Sequence, residues 1–430
     1  MTASPAHEDP AGYGELIRGN VDFRRLWIGN VVSLLGDWFN TLAIYALVAK
    51  LTGSPMALGT VFIAKMLPWA LASPVAGILV DRLNRRRVMI ASDLLRALVV
   101  LGFLTVEGFG HVELIFALTA LQVVVGAVFE PARSASIPVI TSPRELITAN
   151  ALSSVTWSFM LAAGAAAGGL VTQWLGTDAV FLIDSLSYLV SAFFIYRTTI
   201  PQRTDPIEDG PVLGLAAAGI VEGWRHLFES PAVARISLVK ATWSLGGGAL
   251  IYLLALLGRE ISPHAPSTAI GFLLAARGIG TGVGPVLARV VFRDSRHWPT
   301  VLGASIVFAG LCYAALSFSP WTWAVAALVA IAHTAGGTQW VLSTILLQRR
   351  TEDRFRGRVF ATEWLLLTLA DSLSIFVASI LLNSGILDLR GAFLFFGLTL
   401  GIAGALWSFA VIPVEKREAA HNLESRRVGG

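Results

Sequence analysis

The sequence is poor in charged residues: Asp, Glu, Lys and Arg make up 14% of its 430 residues, whereas hydrophobic residues make up 55%. Soluble proteins carry about a quarter charged residues, so this composition excludes an ordinary soluble domain. The mean hydropathy of +0.69 and repeated apolar runs of about 20 residues indicate a protein that crosses a membrane many times. The net charge of +4 is therefore interpreted as a topology signal, and we expect no nucleic-acid partner.

Cysteine is almost absent, since Cys312 is the only one. A single thiol excludes an internal disulfide and any cysteine cluster for zinc or iron–sulfur. The chain also lacks the Gly-x-x-x-x-Gly-Lys-Ser/Thr loop that binds nucleotide phosphates. The His-Glu-x-x-His and Gly-x-Ser-x-Gly motifs are missing from any suitable context. These absences argue against an ATP-driven pump and against a membrane enzyme, and we expect neither a metal nor a cofactor.

Twelve apolar runs predict an all-α polytopic membrane protein with twelve transmembrane helices. The predicted helices cover 26–49, 56–80, 88–106, 112–130, 149–174, 178–197, 234–257, 267–290, 299–318, 321–346, 359–384 and 391–412. The preceding segment, 1–25, is polar, and its residues 12–25 have the pattern of a short amphipathic helix at the membrane surface. Because it lacks the apolar core of a signal peptide, we expect the first membrane helix to direct insertion.

The longest connection, 198–233, is expected to be a cytoplasmic linker. It separates 26–197 from 234–412, and a polar tail covers 413–430. With both termini in the cytoplasm, 25 of the 32 basic residues fall in cytoplasmic segments and three fall in outer loops. Basic residues concentrate on the cytoplasmic side of membrane proteins. The sequence therefore predicts an N-in, C-in topology, which requires an even number of helices.

A weak internal repeat relates the two halves. The Leu-Gly pair at Leu35 recurs at Leu245 with an offset of 210 residues, and Lys65 corresponds to Arg277 with an offset of 212. Such repeats occur in transporters whose parallel halves enclose a central site. We expect two six-helix pseudo-symmetric bundles around a central cavity.

The connection between the second and third predicted helices is unusually rich in charge. One acid, Asp81, is followed by four arginines, and Gly77 lies four residues before the acid. The four arginines are Arg82, Arg85, Arg86 and Arg87. A cytoplasmic location explains the arginines but neither the acid nor the glycine. The corresponding stretch of the second half, 289–296, keeps the charge and loses the Gly-x-x-x-Asp-Arg pattern, so the first half needs something more from these two residues.

This pattern, Gly-x-x-x-Asp-Arg-x-x-x-Arg-Arg, resembles the loop 2–3 motif of the major facilitator superfamily. The chain further resembles the drug and siderophore exporter branch that includes the enterobactin exporter and the macrolide efflux proteins. The residues that carry this second resemblance include Phe23-Arg24-Arg25-Leu26-Trp27, Phe129-Glu130-Pro131-Ala132-Arg133, Ala276-Arg277-Gly278-Ile279-Gly280 and Arg356-Gly357-Arg358-Val359. The Gly-Pro-rich motif of exporters is not matched, because 164–169 contains small residues without proline, and the direction of transport stays open.

The resemblance implies alternating access and a cytoplasmic latch. Asp81 would face the start of helix 11 near Arg358, where free backbone amides favour an anion, and Gly77 would let helices 2 and 11 approach closely. Asp93 and Arg96, three residues apart in helix 3, are expected to belong to the same charge network. The latch would bias the transporter toward its outward-open state without touching substrate.

Ionisable residues inside apolar helices are costly in lipid and are functional candidates. Asp37 lies near the middle of helix 1, and its counterpart in the repeat is Gly247, so the repeated fold does not require the carboxyl. A carboxyl in a poorly solvated cavity can bind a proton near neutral pH, and we expect Asp37 to couple transport to protons or to contact substrate. The alternative is a structural carboxyl that is hydrogen-bonded to a neighbouring helix, with Lys65 as a candidate partner.

Two further pairs leave both interpretations open. Lys65 and Arg277 either position the acids and attract an anionic group of the substrate, or form fixed ion pairs within their halves. Glu130 and Arg133 lie on one helix face and are either a gate or proton pair, or interfacial charges at the helix end.

The remaining cavity candidates are Asp371, His333 and several aromatic residues. His333 can titrate near neutral pH, although a single helical histidine is more often simply hydrogen-bonded. The aromatic candidates for a broad apolar site that accepts amphipathic molecules are Trp38, Phe39, Trp243 and Trp340. The alternative for each is packing or lipid contact.

Together these features predict a secondary active transporter in the bacterial inner membrane. We expect export of small amphipathic organic compounds, such as drugs, antibiotics or siderophores, by proton antiport through a monomer surrounded by membrane lipid. Two alternatives stay open: an uptake or lipid-type transporter of the same fold, and a membrane sensor that carries no solute.

Overall fold

A computed structural model describes residues 11–201 and 210–428, and these residues form helices and short connections without a β-strand. The helices are α1 Tyr13–Gly19, α2 Val21–Leu51, α3 Pro55–Arg82, α4 Arg85–Gly102, α5 Val106–Phe109, α6 Val112–Gly126, α7 Phe129–Ile140, α8 Pro143–Phe159, α9 Ala165–Tyr196, α10 Val212–Glu229, α11 Pro231–Ile261, α12 Pro266–Val291, α13 Trp298–Phe318, α14 Val325–Arg350, α15 Asp353–Asn383 and α16 Leu389–Val428.

Within the described residues, eleven helical stretches are long and apolar enough to cross a membrane. One of them, Pro143–Tyr196, has 54 residues and would be about 81 Å long as one helix, against about 30 Å for the hydrocarbon core of a bilayer. The chain turns at Gly176, whose φ of 80° is in the region that favours glycine. This turn divides the stretch into two spans, so the residues that the structure describes contain the twelve spans that the sequence predicts.

Local sequence signals explain where several helices begin. The Asn20 side chain accepts a hydrogen bond of 2.9 Å from the Phe23 amide at the start of α2, and Asn84 does the same for Arg87 at the start of α4. Ser142 and Glu145 form a capping box at the start of α8. These side chains satisfy backbone amides that have no partner inside the helix.

Several helices extend beyond the predicted limits. α16 continues through Pro413 to Val428, although a polar tail was expected from Pro413. Hydropathy marks only the part of a helix that lies in lipid, and a helix continues past it wherever the backbone allows. The fourth span bends between α6 and α7, at Ala127 and Val128. The amphipathic segment predicted at 12–25 is divided into α1 and the first turn of α2.

Glycines allow close contact between helices of the two halves. α9 and α12 pack together with Gly169 and Gly271 facing each other, and a Cβ atom added at Gly169 would lie 3.0 Å from the Gly271 Cα. A Cβ atom added at Gly278 would similarly lie 2.7 Å from the Ala162 backbone nitrogen. The small residues of 164–169 therefore serve the close helix packing that such residues permit in membranes.

The two ends of the bundle differ. We call the end that carries α10 and the loop at Leu83–Asn84 the linker face, and the end that carries the loops at 52–54 and 384–388 the distal face. At the distal face the halves touch: Ser54 Oγ lies 3.1 Å from Asn383 Oδ1, and the Tyr252 hydroxyl donates to the Pro55 carbonyl at 2.8 Å.

An open space lies outside these distal contacts. It is a cavity of about 780 Å³ whose lining includes the charged residues Lys50, Arg259, Glu260 and Asp388. None of the predicted in-membrane charges lines it. It is therefore a surface vestibule, separate from the polar groups inside the bundle.

Candidate functional site

Asp37 is the accessible member of a group of three carboxyls that lie deep in the helices of the first half. Its side chain on α2 is 37% exposed, whereas Asp93 and Asp184 are fully buried. The Tyr188 hydroxyl on α9 donates a short hydrogen bond to Asp37 Oδ1, and Arg96 Nη1 on α4 lies 4.0 Å from Oδ2. A carboxyl thus sits in mid-membrane between a phenol and a guanidinium and remains open on one side.

Arg96 is held in place by its own partner. Its Nη2 donates to Asp93 Oδ1 at 2.5 Å, and its guanidinium lies 4.3 Å from the ring centroid of Tyr188 and 4.8 Å from that of Phe129. The structure therefore places this pair beside Asp37, and the expectation that it belongs to the network around Asp81 is wrong. Asp93 and Arg96 lie two and three helical turns into α4, too deep to reach the loop.

Asp184 on α9 has partners that the sequence did not reveal. The Asn40 Nδ2 of α2 lies 2.6 Å from Asp184 Oδ2 and 3.2 Å from Gln122 Oε1 of α6. Gln122 Nε2 in turn lies 3.0 Å from the Tyr188 hydroxyl. The signal that could have found them is the presence of two amide side chains inside apolar helices, where polar groups require partners.

Lys65 on α3 is half-buried and interacts electrostatically with Asp37 and Asp184. No ion pair within 4.0 Å joins it to a carboxyl of the described residues, so the direct contact with Asp37 considered from sequence is not formed. Its charge acts on both carboxyls from a distance.

Glu130 and Arg133 pair with each other on α7. Arg133 Nε and Nη2 lie 2.9 and 2.6 Å from the two carboxylate oxygens, a bidentate geometry that is strong for a charged hydrogen bond. The Arg133 side chain is 11% exposed and that of Glu130 is 53% exposed. Pro131 lies in the first turn of α7, where its missing N–H costs nothing.

In the second half, His333 is hydrogen-bonded and buried. Its Nδ1 lies 3.1 Å from the Tyr313 hydroxyl and 3.2 Å from the Val329 carbonyl, and the residue is 4% exposed. These contacts favour the structural alternative for His333. Arg277 on α12 is half-buried and interacts electrostatically with Asp371 and with Tyr45 of the first half.

A buried ion pair in the second half was missed by sequence reasoning. Lys240 Nζ on α11 lies 2.9 Å from Glu363 Oε2 on α15, and both side chains are nearly inaccessible, at 4% and 2%. Thr344 Oγ1 accepts a second hydrogen bond at 3.0 Å, and the Trp340 ring centroid lies 4.5 Å from the ammonium. No local pattern relates residues 123 positions apart, so only the fold could reveal this contact.

The aromatic candidates separate into two groups. Trp38 and Phe39 pack against Gly164 and Gly168, and Phe39 is only 8% exposed, so its expected place on a cavity wall is wrong in this conformation. Trp340 is 39% exposed and begins an edge-to-face row. The row continues with Trp364 at 5.7 Å and with Trp69 of the first half at a further 5.5 Å. The sequence predicted only the first member of this row.

Trp243 of α11 belongs to neither group. Its ring centroid lies 6.2 Å from that of His333 in an edge-to-face arrangement. The residue is half-buried, so it is partly accessible beside the buried and hydrogen-bonded histidine.

The charged loop of the first half lies at the linker face. Arg85 donates to the Ala135 carbonyl at 2.9 Å, and Arg86 donates to the carbonyl of Tyr196 and lies 5.1 Å from its ring centroid. These arginines thus hold the start of α4 against the middle of α7 and the end of α9. Arg87 is exposed, and Arg82 is half-buried at the end of α3.

The predicted latch contacts are not formed in this conformation. Asp81 is exposed and makes no ion pair with any described residue, and a Cβ atom added at Gly77 would meet nothing within 4 Å. The expectation of close helix approach at Gly77 is therefore wrong here. Arg358 Nη1 instead lies 2.6 Å from Glu222 Oε1 of α10. The linker helix packs on both α3 and α15.

Helices α3 and α15 approach closely at their other ends. Gly59 lies directly against the Ser379 side chain, near the Ser54–Asn383 contact of the distal face. Because the same two helices have open space at Gly77, contact between the halves is concentrated at the distal face.

Twelve spans in two related halves, with charged groups buried in mid-membrane, define a membrane transport protein with the major facilitator fold. Among solved structures, the nucleoside transporter NupG aligns with a TM-score of 0.68 and 13% identity, over 91% of this chain and 98% of that one. The family model described as transmembrane secretion effector matches residues 17–408. The chain therefore belongs to that family of the major facilitator superfamily and is not an enzyme.

Three relatives illustrate its place in the family. The multidrug efflux pump Tap of Mycolicibacterium fortuitum is 26% identical over 388 residues, which cover 87% of this chain and 92% of Tap. Macrolide efflux protein A of Streptococcus pyogenes is 26% identical over 190 residues, or 43% of this chain and 46% of that protein. The uncharacterised transporter YfiS of Bacillus subtilis is 26% identical over 62% of this chain, and the match spans 63% of the length of YfiS.

Proposed function

We propose that this protein exports small amphipathic organic compounds, with drugs, antibiotics and siderophores as candidate cargo, in exchange for protons. The observation that carries the proposal is Asp37, a mid-membrane carboxyl that is 37% exposed and lies 4.0 Å from the guanidinium of Arg96. The relatives named for multidrug and macrolide efflux support the direction and the class of cargo. We further propose that the protein acts as a monomer surrounded by lipid.

The charge distribution supports the orientation that we propose. Basic residues concentrate at the linker face, so this face lies in the cytoplasm of a bacterial inner membrane with both chain termini inside. Contact between the halves at the distal face and open space at Gly77 then correspond to a conformation that is closed outward and opens inward. We take the halves to be 26–197 and 234–412, joined by the linker 198–233.

Asp37 suits proton exchange because its charge is balanced by a fixed cation. Arg96 is locked by Asp93 at 2.5 Å, so it stays in place when Asp37 gains or loses a proton. An ionised Asp37 is attracted to Arg96 and accepts from Tyr188, whereas a protonated Asp37 is released from this attraction. A change of one unit charge at this place thus alters the attraction between Asp37 on α2 and Arg96 on α4, which is the kind of two-state bias that alternating access requires.

The aromatic row supports amphipathic cargo. The Trp340 and Trp364 rings are 39% and 41% exposed, and the row reaches the first half at Trp69. Exposed aromatic faces beside charged groups give an apolar wall with a few polar anchors, which is typical of small-molecule sites.

The test is transport by purified protein in proteoliposomes with an imposed proton gradient, with ethidium and erythromycin as probes. Asp37→Asn should abolish uphill movement of the probe and leave exchange without a gradient intact, because the amide cannot carry the proton. Asp178→Asn, which changes an exposed carboxyl, is the matched control and should transport normally. Full proton-driven transport by Asp37→Asn would refute the coupling role. Movement of the probe with the proton would indicate uptake, and absence of any flux would favour a sensor.

A further inference from the structure

Four polar contacts connect the accessible carboxyl of Asp37 with the inaccessible carboxyl of Asp184. Their order is Asp37, Tyr188, Gln122, Asn40 and Asp184, and the three contacts from Tyr188 onward are 3.0, 3.2 and 2.6 Å long. The contact between Asp37 and Tyr188 is a short hydrogen bond. This hydrogen-bond chain joins α2, α6 and α9 without a gap.

Asp184 has no cation in contact. It is 0% exposed, and none of the ion pairs of the described residues includes it. The charged and titratable groups that face it are Asp37 of α2, Lys65 of α3, Arg96 of α4 and Tyr188 of its own helix. Arg96 is already paired with Asp93, and Asn40 supplies the closest hydrogen bond.

An ionised carboxyl in this position would be expensive. Burying a carboxylate without a contacting cation costs several kcal/mol even after relaxation, and a proton removes that cost. The cluster contains three carboxyls, at Asp37, Asp93 and Asp184, against the two cations Lys65 and Arg96. One bound proton therefore balances its charge, and Asp184 is the one of these three carboxyls that forms no ion pair within 4.0 Å with a described residue.

The hydrogen bonds of this chain can adopt two opposite directions. In the structure the carboxyls at both ends accept hydrogen bonds, since Tyr188 donates to Asp37 and Asn40 donates to Asp184. Turning the Asn40 and Gln122 amides by 180° exchanges their N and O atoms. Both ends then donate: a protonated Asp37 donates to Tyr188, and a protonated Asp184 donates to Asn40 across 2.6 Å, a usual length for an O–H···O bond.

We propose that Asp184 is a second proton-binding carboxyl of the first half and that the chain through Tyr188, Gln122 and Asn40 couples its proton to the proton on Asp37. Binding of a proton at Asp37 favours the arrangement in which both carboxyls donate hydrogen bonds, and so increases the affinity of Asp184 for its proton. The use of this second proton in transport rests on the proposed export function, whereas its presence does not.

The test is infrared difference spectroscopy of the purified full-length protein without substrate or gradient, which detects the C=O stretch of protonated carboxyls. The spectrum of the wild type minus that of Asp184→Asn at pH 7 should contain one protonated carboxyl band. Should Asp184→Asn fail to fold, Asp184→Glu keeps the carboxyl and shifts only this band. Absence of the band from the difference would show that Asp184 is ionised and would overturn the proposal.

The coupling is tested by a double-mutant comparison. Hydrogen bonds to charged groups contribute about 1.5–3 kcal/mol, or about 1–2 pH units. Asp37→Asn should therefore shift the pH midpoint of the Asp184 band. The size of this shift should differ by about one pH unit or more between the protein with Tyr188 and the Tyr188→Phe variant, in which the hydrogen-bond chain is interrupted. Equal shifts with and without Tyr188 would mean that Asp37 acts on Asp184 only through its charge, and coupling through the hydrogen-bond chain would be rejected. Because no transport is measured, failure of export leaves this result unaffected, and the reverse also holds.

Discussion

The ion pair between Lys240 and Glu363 allows a quantitative prediction, because opposite pH dependences are expected for its two single variants. Both groups are almost inaccessible, at 4% and 2% exposure, and are 2.9 Å apart. Removal of one partner leaves a buried charge without compensation, which costs about 3–5 kcal/mol. The remaining group can avoid this cost only by becoming neutral.

The cost of neutrality follows from ordinary pKa values of about 4.3 for Glu and about 10.4 for Lys, at about 1.36 kcal/mol per pH unit. In Lys240→Met, keeping Glu363 protonated at pH 7 costs up to about 3.7 kcal/mol, and this cost falls as the pH is lowered. In Glu363→Gln, keeping Lys240 neutral costs up to about 4.6 kcal/mol, and this cost falls as the pH is raised. Replacement of both residues, with Met and Leu, should recover most of the stability.

Cys312 supplies the assay. It is the only cysteine of the chain and is buried, so a thiol-reactive fluorogenic dye reports unfolding of the protein in detergent on heating. At roughly 2 °C per kcal/mol for a large domain, each single variant should unfold roughly 6–10 °C lower at pH 7. The loss should shrink at pH 5.5 for Lys240→Met and at pH 8.5 for Glu363→Gln. The same loss at every pH, or none, would refute a charged pair.

Two further predictions concern packing and conformation. Gly36→Ala should lower stability by about 1–3 kcal/mol in the same dye assay, because the added Cβ would overlap side chains of α9. The control Gly219→Ala should have no effect, since a Cβ atom there would meet nothing within 4 Å. Equal stabilities of the two variants would contradict the α2–α9 contact. Glu222→Gln should favour the outward-open state by about 1.4- to 5-fold, since its pair with Arg358 is 40% and 41% exposed and such pairs contribute about 0.2–1 kcal/mol. Asp81→Asn should instead favour the inward-open state, and spin-label distances across the linker face would measure both variants. Shifts of the same sign would rule out the idea that Arg358 exchanges Glu222 for Asp81 between the two states.

Exchange of partners gives the charged loop a specific conformational meaning. In the structure Arg358 pairs with Glu222 of the linker helix, and Asp81 is exposed. We propose that the latch predicted from sequence belongs to the outward-open state, in which the linker face closes. Its absence here is consistent with the separation of α3 and α15 at Gly77, and the latch itself stays a prediction.

The sequence by itself determined the membrane-spanning class, the number of spans and the family. Each depends on composition or on short-range pattern: apolar runs long enough for a bilayer, and the closely spaced Gly77, Asp81 and arginine motif. It also identified Asp37 as an in-membrane carboxyl, because a charge in an apolar run is visible without any knowledge of its neighbours.

Only the tertiary structure decided which polar groups meet. The sequence suggests that Asp93 and Arg96, in the first turns of the third predicted helix, belong to the charge network around Asp81, but the helical rise carries them to the level of Asp37. The pair of Lys240 with Glu363 and the chain that joins Asp37 to Asp184 connect residues 123 and about 150 positions apart. Such contacts are set by how the helices pack and rotate against one another, and this information is not contained in the pattern of any single helix.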